Sequence, residues 1–552
     1  MKHHKETAMK IIPLGGLGAI GNNMTIFEYG DEILIVDCGI MFPTEEMPGI
    51  DYIIPDFSYV VKNRHRVKGL LITHGHEDHI GAVPFLLKEI TAPIFSTKLT
   101  IGLIQSRLEE RPPKDKPTFV EVVPGAQVQI GNFTVEFLRV NHSIIDGVAL
   151  AMQTPIGVII HTGDFKIDFS PVDGKVTDLP TFAAYGEKGV LLLMSDSTNA
   201  ERPGYTRSES VLSDKLVEIF SASRGRIIVA TFASNIHRIQ QVLDASQRFN
   251  RKVVISGVTM QKNIEIARSL GYLDFKEDLI VEIKEAQALP NKKLVIICTG
   301  SQGEPMSALA RMANNTHKHF VAGSGDTVIV TASVIPGNER MVYNVINSLM
   351  KLGAEVYYEQ DEDIHVSGHG SQEELKLMIS LTNPRFFMPI HGEYRQLRAH
   401  ARLAESLGIK SSRIRIAENG TILELTKKSF EKTGALSLNK IFVDGLDIED
   451  VGSGVIHDRQ TMAAEGMLVI TLVVSEGMLI RPPDIVARGF ITSKNMQILE
   501  IIRKDVEEQS HKLLMDDATP AEIGAFLKKS MKNFVYRIAR RNPLIDVLVL
   551  EV

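Results

Sequence analysis

The segment His74-Gly75-His76-Glu77-Asp78-His79 directly follows the apolar stretch GLLIT. Three imidazoles and a carboxylate within six residues are donor groups that zinc or manganese takes. A loop leaving a strand end lets alternate side chains converge. The competing reading is a polar loop before a helix, with Asp78 as its N-cap. Chance matches to so dense a pattern are rare. Phosphoryl chemistry favours two ions about 3.5–4 Å apart, and two ions need more ligands than one loop supplies. The candidates lie at later strand ends: His142 after FLRVN, Asp164 ending VIIHTGD and His391 ending FFMPI. Taken singly, each is more often a hydrogen-bonded residue; together they match the missing ligands. All seven are expected to face solvent. His65, His161, His237, His317 and His319 lack such partners and are set aside, as are His3 and His4 near the N-terminus.

Asp164 and His391 must reach the same ions although they are 227 residues apart (391 − 164). Loops rarely exceed about 15 residues, so the intervening chain is expected to be an inserted domain. From about residue 208 the rhythm supports this. ESVLSDKLVEIFSAS, GRIIVATF, NIHRIQQVLDASQRF and KVVISG alternate helix and strand, as in an α/β unit with a mostly parallel sheet. Before it, short strands such as KIIPLG, MTIFEY and EILIVDCG suggest sheet layers flanked by helices. The boundaries expected are 1–207 for the first part of the outer domain, 208–370 for the insertion and 371–425 for the return segment. A linker at 426–449 and a C-terminal α+β domain at 450–552 complete the chain.

Composition narrows the function classes. At roughly 150 residues per domain, 552 residues suggest three or four domains. Basic and acidic residues number 61 and 67, a net charge of −6, which excludes a globally basic nucleic-acid binder but leaves room for a local basic groove. The longest apolar run, MLVITLVV, has 8 residues, far short of the roughly 20 a membrane span needs. The N-terminus lacks a signal-like apolar stretch. Only Cys38 and Cys298 are present, which excludes a disulfide framework and points to a reducing cytoplasm. Gly16-Leu17-Gly18-Ala19-Ile20-Gly21 fits a dinucleotide-binding pattern, but a strand-like hairpin follows where a helix N-terminus would have to hold the pyrophosphate. These glycines read as a turn between strands.

Asp37, the HGHEDH box, His142 and Asp164 resemble the metallo-β-lactamase fold, an αββα sandwich. Ser195-Asp196-Ser197-Thr198-Asn199, His365-Val366-Ser367-Gly368-His369 and Pro389-Ile390-His391-Gly392-Glu393 resemble its β-CASP branch, and the whole chain is similar to the bacterial ribonuclease J family. That resemblance implies an α/β fold: a sandwich interrupted by an inserted β-CASP domain, plus a small C-terminal domain. It implies two divalent ions, zinc before manganese. One would be held by His74, His76 and His142, the other by Asp78, His79 and His391, with Asp164 bridging and Asp37 orienting a ligand loop. The intact box resembles the catalytically competent type. SIID after His142 departs from the common SIP wording but touches no ligand.

His369 is expected to be the general acid, oriented by Asp196; the alternative is a cap for the helix at SQEELKLM. The segment His365-Val366-Ser367-Gly368-His369 is expected to hold a nucleotide phosphate, favouring 5′-monophosphate ends. Ser234, Asn235 and Arg238 are weaker candidates for RNA contact; an ordinary helix start explains them as well. The basic segment KKSMKNFVYRIARR reads chiefly as a helix with an apolar stripe. The expected activity is endonucleolytic and 5′→3′ exonucleolytic RNA cleavage in mRNA decay and rRNA maturation. The expected partners are RNA, a homodimer, homotetramer or hetero-oligomer with a paralogue, and an RNA-degrading complex. The rivals are a DNA hydrolase of the same fold and a weakly active scaffold subunit.

Overall fold

The computed structural model describes residues 8–44, 46–304, 306–332, 334, 338–358, 364–445, 453–491 and 496–552. His3, His4 and the 446–449 part of the expected linker lie outside them. Two compact units are present: Met1–Phe42 with Ile53–Lys440, and Pro43–Tyr52 with Ile441–Val552.

In the larger unit, two sheets face each other. The eight-stranded sheet runs Phe430–Ala435, Thr421–Leu425, Met9–Gly15, Met24–Tyr29, Glu32–Val36, Val67–Leu71, Ile94–Ser96, Phe119–Glu121. The six-stranded sheet runs Phe386–Ile390, Val190–Asp196, Gly157–His161, Val148–Thr154, Phe133–Arg139, Gln127–Ile130. Alternate residues of their strands point inward. Phe27, Leu34, Phe133, Phe137, Leu192 and Met388 fill the shared core. On the outer face of the second sheet, Phe182, Leu375, Met378 and Ala404 bring the helices Leu179–Lys188, Gln372–Thr382 and Tyr394–Ser406 into a second core. This is the αββα sandwich.

Between Val190–Asp196 and Phe386–Ile390, the chain builds a five-stranded sheet. Its order is Lys252–Ser256, Leu294–Cys298, Ile227–Ala230, Thr327–Val330, Glu355–Tyr357, every pairing parallel. Ile228, Ile296 and Val328 are fully buried, as strands covered by helices on both faces require. After the insertion the chain re-enters the six-stranded sheet beside the strand it left. Val190–Asp196 and Phe386–Ile390 pair in parallel with Asp196 opposite Ile390. That register sets Asp196 next to His391.

Two expected boundaries need correction. Phe430–Ala435, placed in the linker, is an edge strand paired to Thr421–Leu425. Its sequence FEKTGA buries only Phe430, so backbone pairing rather than an apolar pattern makes it a strand. Pro43–Tyr52, expected in the first domain, belongs to the smaller unit, where Arg459 bonds the Pro48 and Gly49 carbonyls.

The smaller unit centres on Met467–Ser475. That strand pairs antiparallel with Met478–Leu479 and Asp484–Arg488 and parallel with Leu544–Glu551. The basic segment lies in the helix Pro520–Ala539, whose buried stripe is Ile523, Leu527, Met531 and Val535. Among the described residues no helix is long and apolar enough to cross a membrane. Cys38 and Cys298 are free and buried, and burial pushes the Cys298 thiol up to about 12.

Candidate metal centre

The two sheets present their strand ends to one point. Val67–Leu71 runs into the loop carrying His74 and His76, and the short helix Glu77–Ile80 carries Asp78 and His79. Phe133–Arg139 leads to His142, Gly157–His161 to Asp164, and Phe386–Ile390 to His391. The seven donors form two groups, His74/His76/His142 and Asp78/His79/Asp164/His391, with the donor atoms of each within 4.8 Å of one another. Asp164 joins them. Its Oδ2 lies 3.2 Å from His79 Nε2, 3.5 Å from His391 Nε2, 3.7 Å from His74 Nε2 and 3.8 Å from His142 Nε2.

On four of the five rings, all but His76, the other nitrogen is tied back. His79 Nδ1 donates to Asp37 Oδ2 at 2.8 Å, and His142 Nδ1 donates to the Gly368 carbonyl at 2.7 Å. His391 Nδ1 meets Thr198 Oγ1 at 2.8 Å, and His74 Nδ1 meets Thr73 Oγ1 at 3.0 Å. Donation from Nδ1 fixes the tautomer and leaves an Nε2 lone pair aimed at the centre, the arrangement of metal-ligating histidines. Asp37 itself is held by the Thr73 N–H at 2.8 Å. Asp37 and His391 both take left-handed backbone, at φ 60° and 52°. Strain of this kind persists where the surroundings over-determine a functional site.

The expected solvent exposure of the ligands is wrong. His74, His79, His142, Asp164 and His391 are buried, and only His76 and Asp78 are partly open. They sit between the sheets' ends rather than on a free loop. Burial pushes His74 and His142 well below the usual imidazole range and His76 down to about 4. At His79 and His391 burial is outweighed by Asp164 and the neighbouring carboxylates, which hold both rings well above that range. For Asp164, burial is outweighed by His391 and His79, and its carboxyl falls well below the carboxylate range. The donor set thus demands positive charge at its centre. Divalent cations fit it.

His369 stands beside the ligands, its ring stacked on His391 at 5.4 Å and edge-on to His142 at 4.8 Å. Its Nδ1 bonds Asp196 Oδ2 at 2.7 Å. Asp196 outweighs burial and raises the imidazole's pKa. His369 does not cap the following helix. Ser371 does, with Glu374 accepting its backbone N–H at 2.8 Å. Along His365–His369 burial alternates: Val366 and Gly368 are buried while His365, Ser367 and His369 are partly open. A Cβ on Gly368 would stand 2.7 Å from the His142 ring, so only glycine lets this segment lie on the ligand. The Val366 side chain is turned into the core, leaving only its backbone to meet a substrate.

The weaker candidates divide. Ser234 lines a cavity of about 30 Å³ with Gly75, Glu77, Arg107 and Lys262. Asn235 caps the helix Ile236–Arg248 by accepting the Arg238 N–H at 3.0 Å. Arg238 cannot touch RNA with its side chain: it is fully buried, bonded to Glu209 at 2.7 Å and to the Thr331 carbonyl at 2.6 Å. The expectation for Arg238 is therefore corrected by its buried counter-charge.

Sequence reasoning missed three residues here. Asn23 bonds His79 Nε2 at 3.1 Å, Thr198 bonds His391, and His161 lines a cavity beside Asp37, His79 and Asp164. Asn23 carried no signal, whereas Thr198 lies within the Ser195-Asp196-Ser197-Thr198-Asn199 motif without being given a role of its own. His161 ends an apolar strand three residues before a ligand, which could have kept it in consideration. The glycines Gly16, Gly18 and Gly21 have positive φ and lead into the strand Met24–Tyr29, so no helix offers a dinucleotide site.

Known families match along the chain. The metallo-beta-lactamase superfamily matches residues 17–196, the ribonuclease J beta-CASP domain 224–349, the Zn-dependent metallo-hydrolase RNA specificity domain 355–414 and the ribonuclease J C-terminal domain 454–552. Ribonuclease J of Thermus thermophilus is 43% identical over 98% of this chain and 95% of its own length. Ribonuclease J 1 of Streptococcus pyogenes is 42% identical over 99% and 98%, and ribonuclease J2 of Bacillus subtilis 38% identical over 100% of both. A crystal structure of an Enterococcus faecalis protein of unknown function shares the fold, with TM-score 0.53 and 16% identity over 76% of this chain and 100% of its own. With domain matches in this order and relatives of this identity along nearly its whole length, the chain belongs to the ribonuclease J family of metallo-β-lactamase-fold, β-CASP hydrolases.

Proposed function

We propose that this chain is a two-metal ribonuclease that cuts RNA both internally and from the 5′ end, favouring 5′-monophosphate ends. Its work would be mRNA decay and rRNA maturation in the cytoplasm. The observation that carries this reading is the position of Asp164 Oδ2, 3.2–3.8 Å from four imidazole nitrogens that arrive on three separate segments. His74, His76 and His142 would hold one ion and Asp78, His79 and His391 the other, with Asp164 between them. Zinc suits the imidazole-rich set best, with manganese second. Bound divalent cations would lower the pKa of a water and neutralise phosphate charge.

The protein's own groups do the rest. Asp196 accepts the His369 Nδ1 proton, leaving Nε2–H free to donate to the departing 3′ oxygen. Asp37 and Thr198 keep His79 and His391 turned inward. The partly open side of His365, Ser367 and His369 supplies polar groups for a nucleotide phosphate. Assembly into a dimer or larger oligomer through the C-terminal unit, and membership of an RNA-degrading complex, belong to the same reading.

A cleavage time course with Zn²⁺ or Mn²⁺ tests it on three labelled substrates of one sequence: 5′-monophosphate RNA, 5′-triphosphate RNA and single-stranded DNA. Mononucleotides should come quickly from the first and slowly from the second, and none should come from a His76→Ala variant. Comparable cleavage of DNA would favour the DNA-hydrolase reading. No cleavage of RNA with either ion would leave a scaffold subunit.

A further inference from the structure

His161 is a buried imidazole with one unused nitrogen. It ends the strand Gly157–His161, between Leu150 and Met194 on the flanking strands, and is 5% exposed. Its Nδ1 accepts the Gly163 N–H at 3.1 Å. A nitrogen that accepts carries no proton, so the ring is neutral and its hydrogen is on Nε2. Among the described residues Nε2–H has no hydrogen-bond partner. A buried N–H left without one costs roughly 1–3 kcal/mol, so such groups normally meet protein or water.

His161 lines a cavity of about 20 Å³, shared with Asn23, Asp37, His79, Asp164 and His391. One water needs roughly 10–15 Å³ and two to four polar partners. The cavity supplies both. Gly163, the residue between His161 and Asp164 in the turn, has φ +56°, and a Cβ there would sit 3.0 Å from the Val148 carbonyl and 3.1 Å from Thr73. Only glycine fits at this point of the turn that carries the chain from His161 to Asp164.

We propose that His161 is a positioning residue for the bridging carboxylate, its Nε2–H holding a buried water that in turn bonds Asp164. All four imidazole approaches to Asp164 are made at Oδ2. A water fixed by His161 restrains the carboxylate's rotation so that this oxygen stays central. The inference rests on the two-metal reading and adds to it a residue that touches neither ion nor substrate.

Two variants separate this role from a purely structural one. Asparagine places a side-chain oxygen where histidine has Nδ1, so His161→Asn keeps the Gly163 bond and deletes the donor into the cavity. Glutamine places its N–H near the position of Nε2, so His161→Gln keeps the donor and deletes the Gly163 bond. Zn²⁺ titration against a chelating competitor, with the melting temperature of the ion-free protein alongside, gives the readout. The expected result is metal affinity about 10- to 100-fold weaker in His161→Asn, largely restored in His161→Gln, with ion-free His161→Asn melting as the parent does. The opposite ranking, or equal affinity in all three proteins, overturns the proposal. Failure of the parent protein to bind two ions would instead count against the two-metal reading itself.

Discussion

Two clusters of buried charge begin on the same turn and differ in kind. Asp164 belongs to the candidate metal centre. Two residues later, Lys166 enters a second cluster, 3.5 Å from both Asp168 and Glu209, with Arg238 closing on Glu209 at 2.7 Å. All four side chains are at most 3% exposed. The second cluster has two cations and two carboxylates and balances itself. The first sets three carboxylates, Asp37, Asp78 and Asp164, among histidines, and these carboxylates push the His79 and His391 imidazoles well above their usual range. Burial and ionisable side chains are common to both; only the balance differs. A closed network ties the inserted domain to the sandwich, whereas an unbalanced one is built to receive charge from outside.

That contrast can be broken experimentally, and the sharpest cut is at the open cluster. His76→Ala should lower RNA cleavage about 10³-fold or more, equivalent to at least roughly 4 kcal/mol of transition-state stabilisation. The time course measures it, and unfolding of the ion-free variant should match the parent. The closed cluster should respond in the reverse sense. Arg238→Met takes from buried Glu209 its closest cation, leaving only Lys166 at 3.5 Å, and should cost about 3–5 kcal/mol in denaturant unfolding, with metal content unchanged. If metal content falls with stability, the two clusters are not separable. A smaller effect is expected at Asp37→Asn: metal affinity about 10- to 100-fold weaker by competition with a chelator.

The finest expected effect is a change of slope in the acid limb of the stability curve. Burial raises the Glu209 carboxyl, but Arg238 and Lys166 outweigh it and hold it down to about 2, against 4.5 ordinarily. On acidification the unfolded chain takes up this proton first. The stabilisation is therefore full above about pH 4.5 and drains away as pH falls towards 2. In Glu209→Gln, unfolding free energy measured across that window should depend less steeply on pH.

The metal box was legible because its donors are consecutive and no packing demand explains three imidazoles in one loop. His391 was a candidate from its place at the end of FFMPI, and its 227-residue separation from Asp164 then implied the inserted domain. Arg238 was not legible. Its burial is decided by Glu209, 29 positions earlier, and nothing local distinguishes a buried arginine from one on an RNA-facing helix. His161 was hidden for a related reason. On a strand with both faces covered, which side chain meets a cavity depends on the sheet opposite. Phe430–Ala435 escaped notice because an edge strand can be held by backbone bonds alone.

The ligand order along the chain also has a consequence for synthesis. Asp78 and His391 approach within 3.3 Å although 313 positions separate them. During translation the N-terminal strands can begin to collapse and His74 to His142 can meet early, since domains fold as they emerge. His391 is made only after the whole inserted domain has been synthesised. A nascent chain shorter than 391 residues therefore lacks one donor of the Asp78/His79/Asp164/His391 group. In the proposed two-metal arrangement, the closing donor of the second group is thus the last to be made, after the inserted domain.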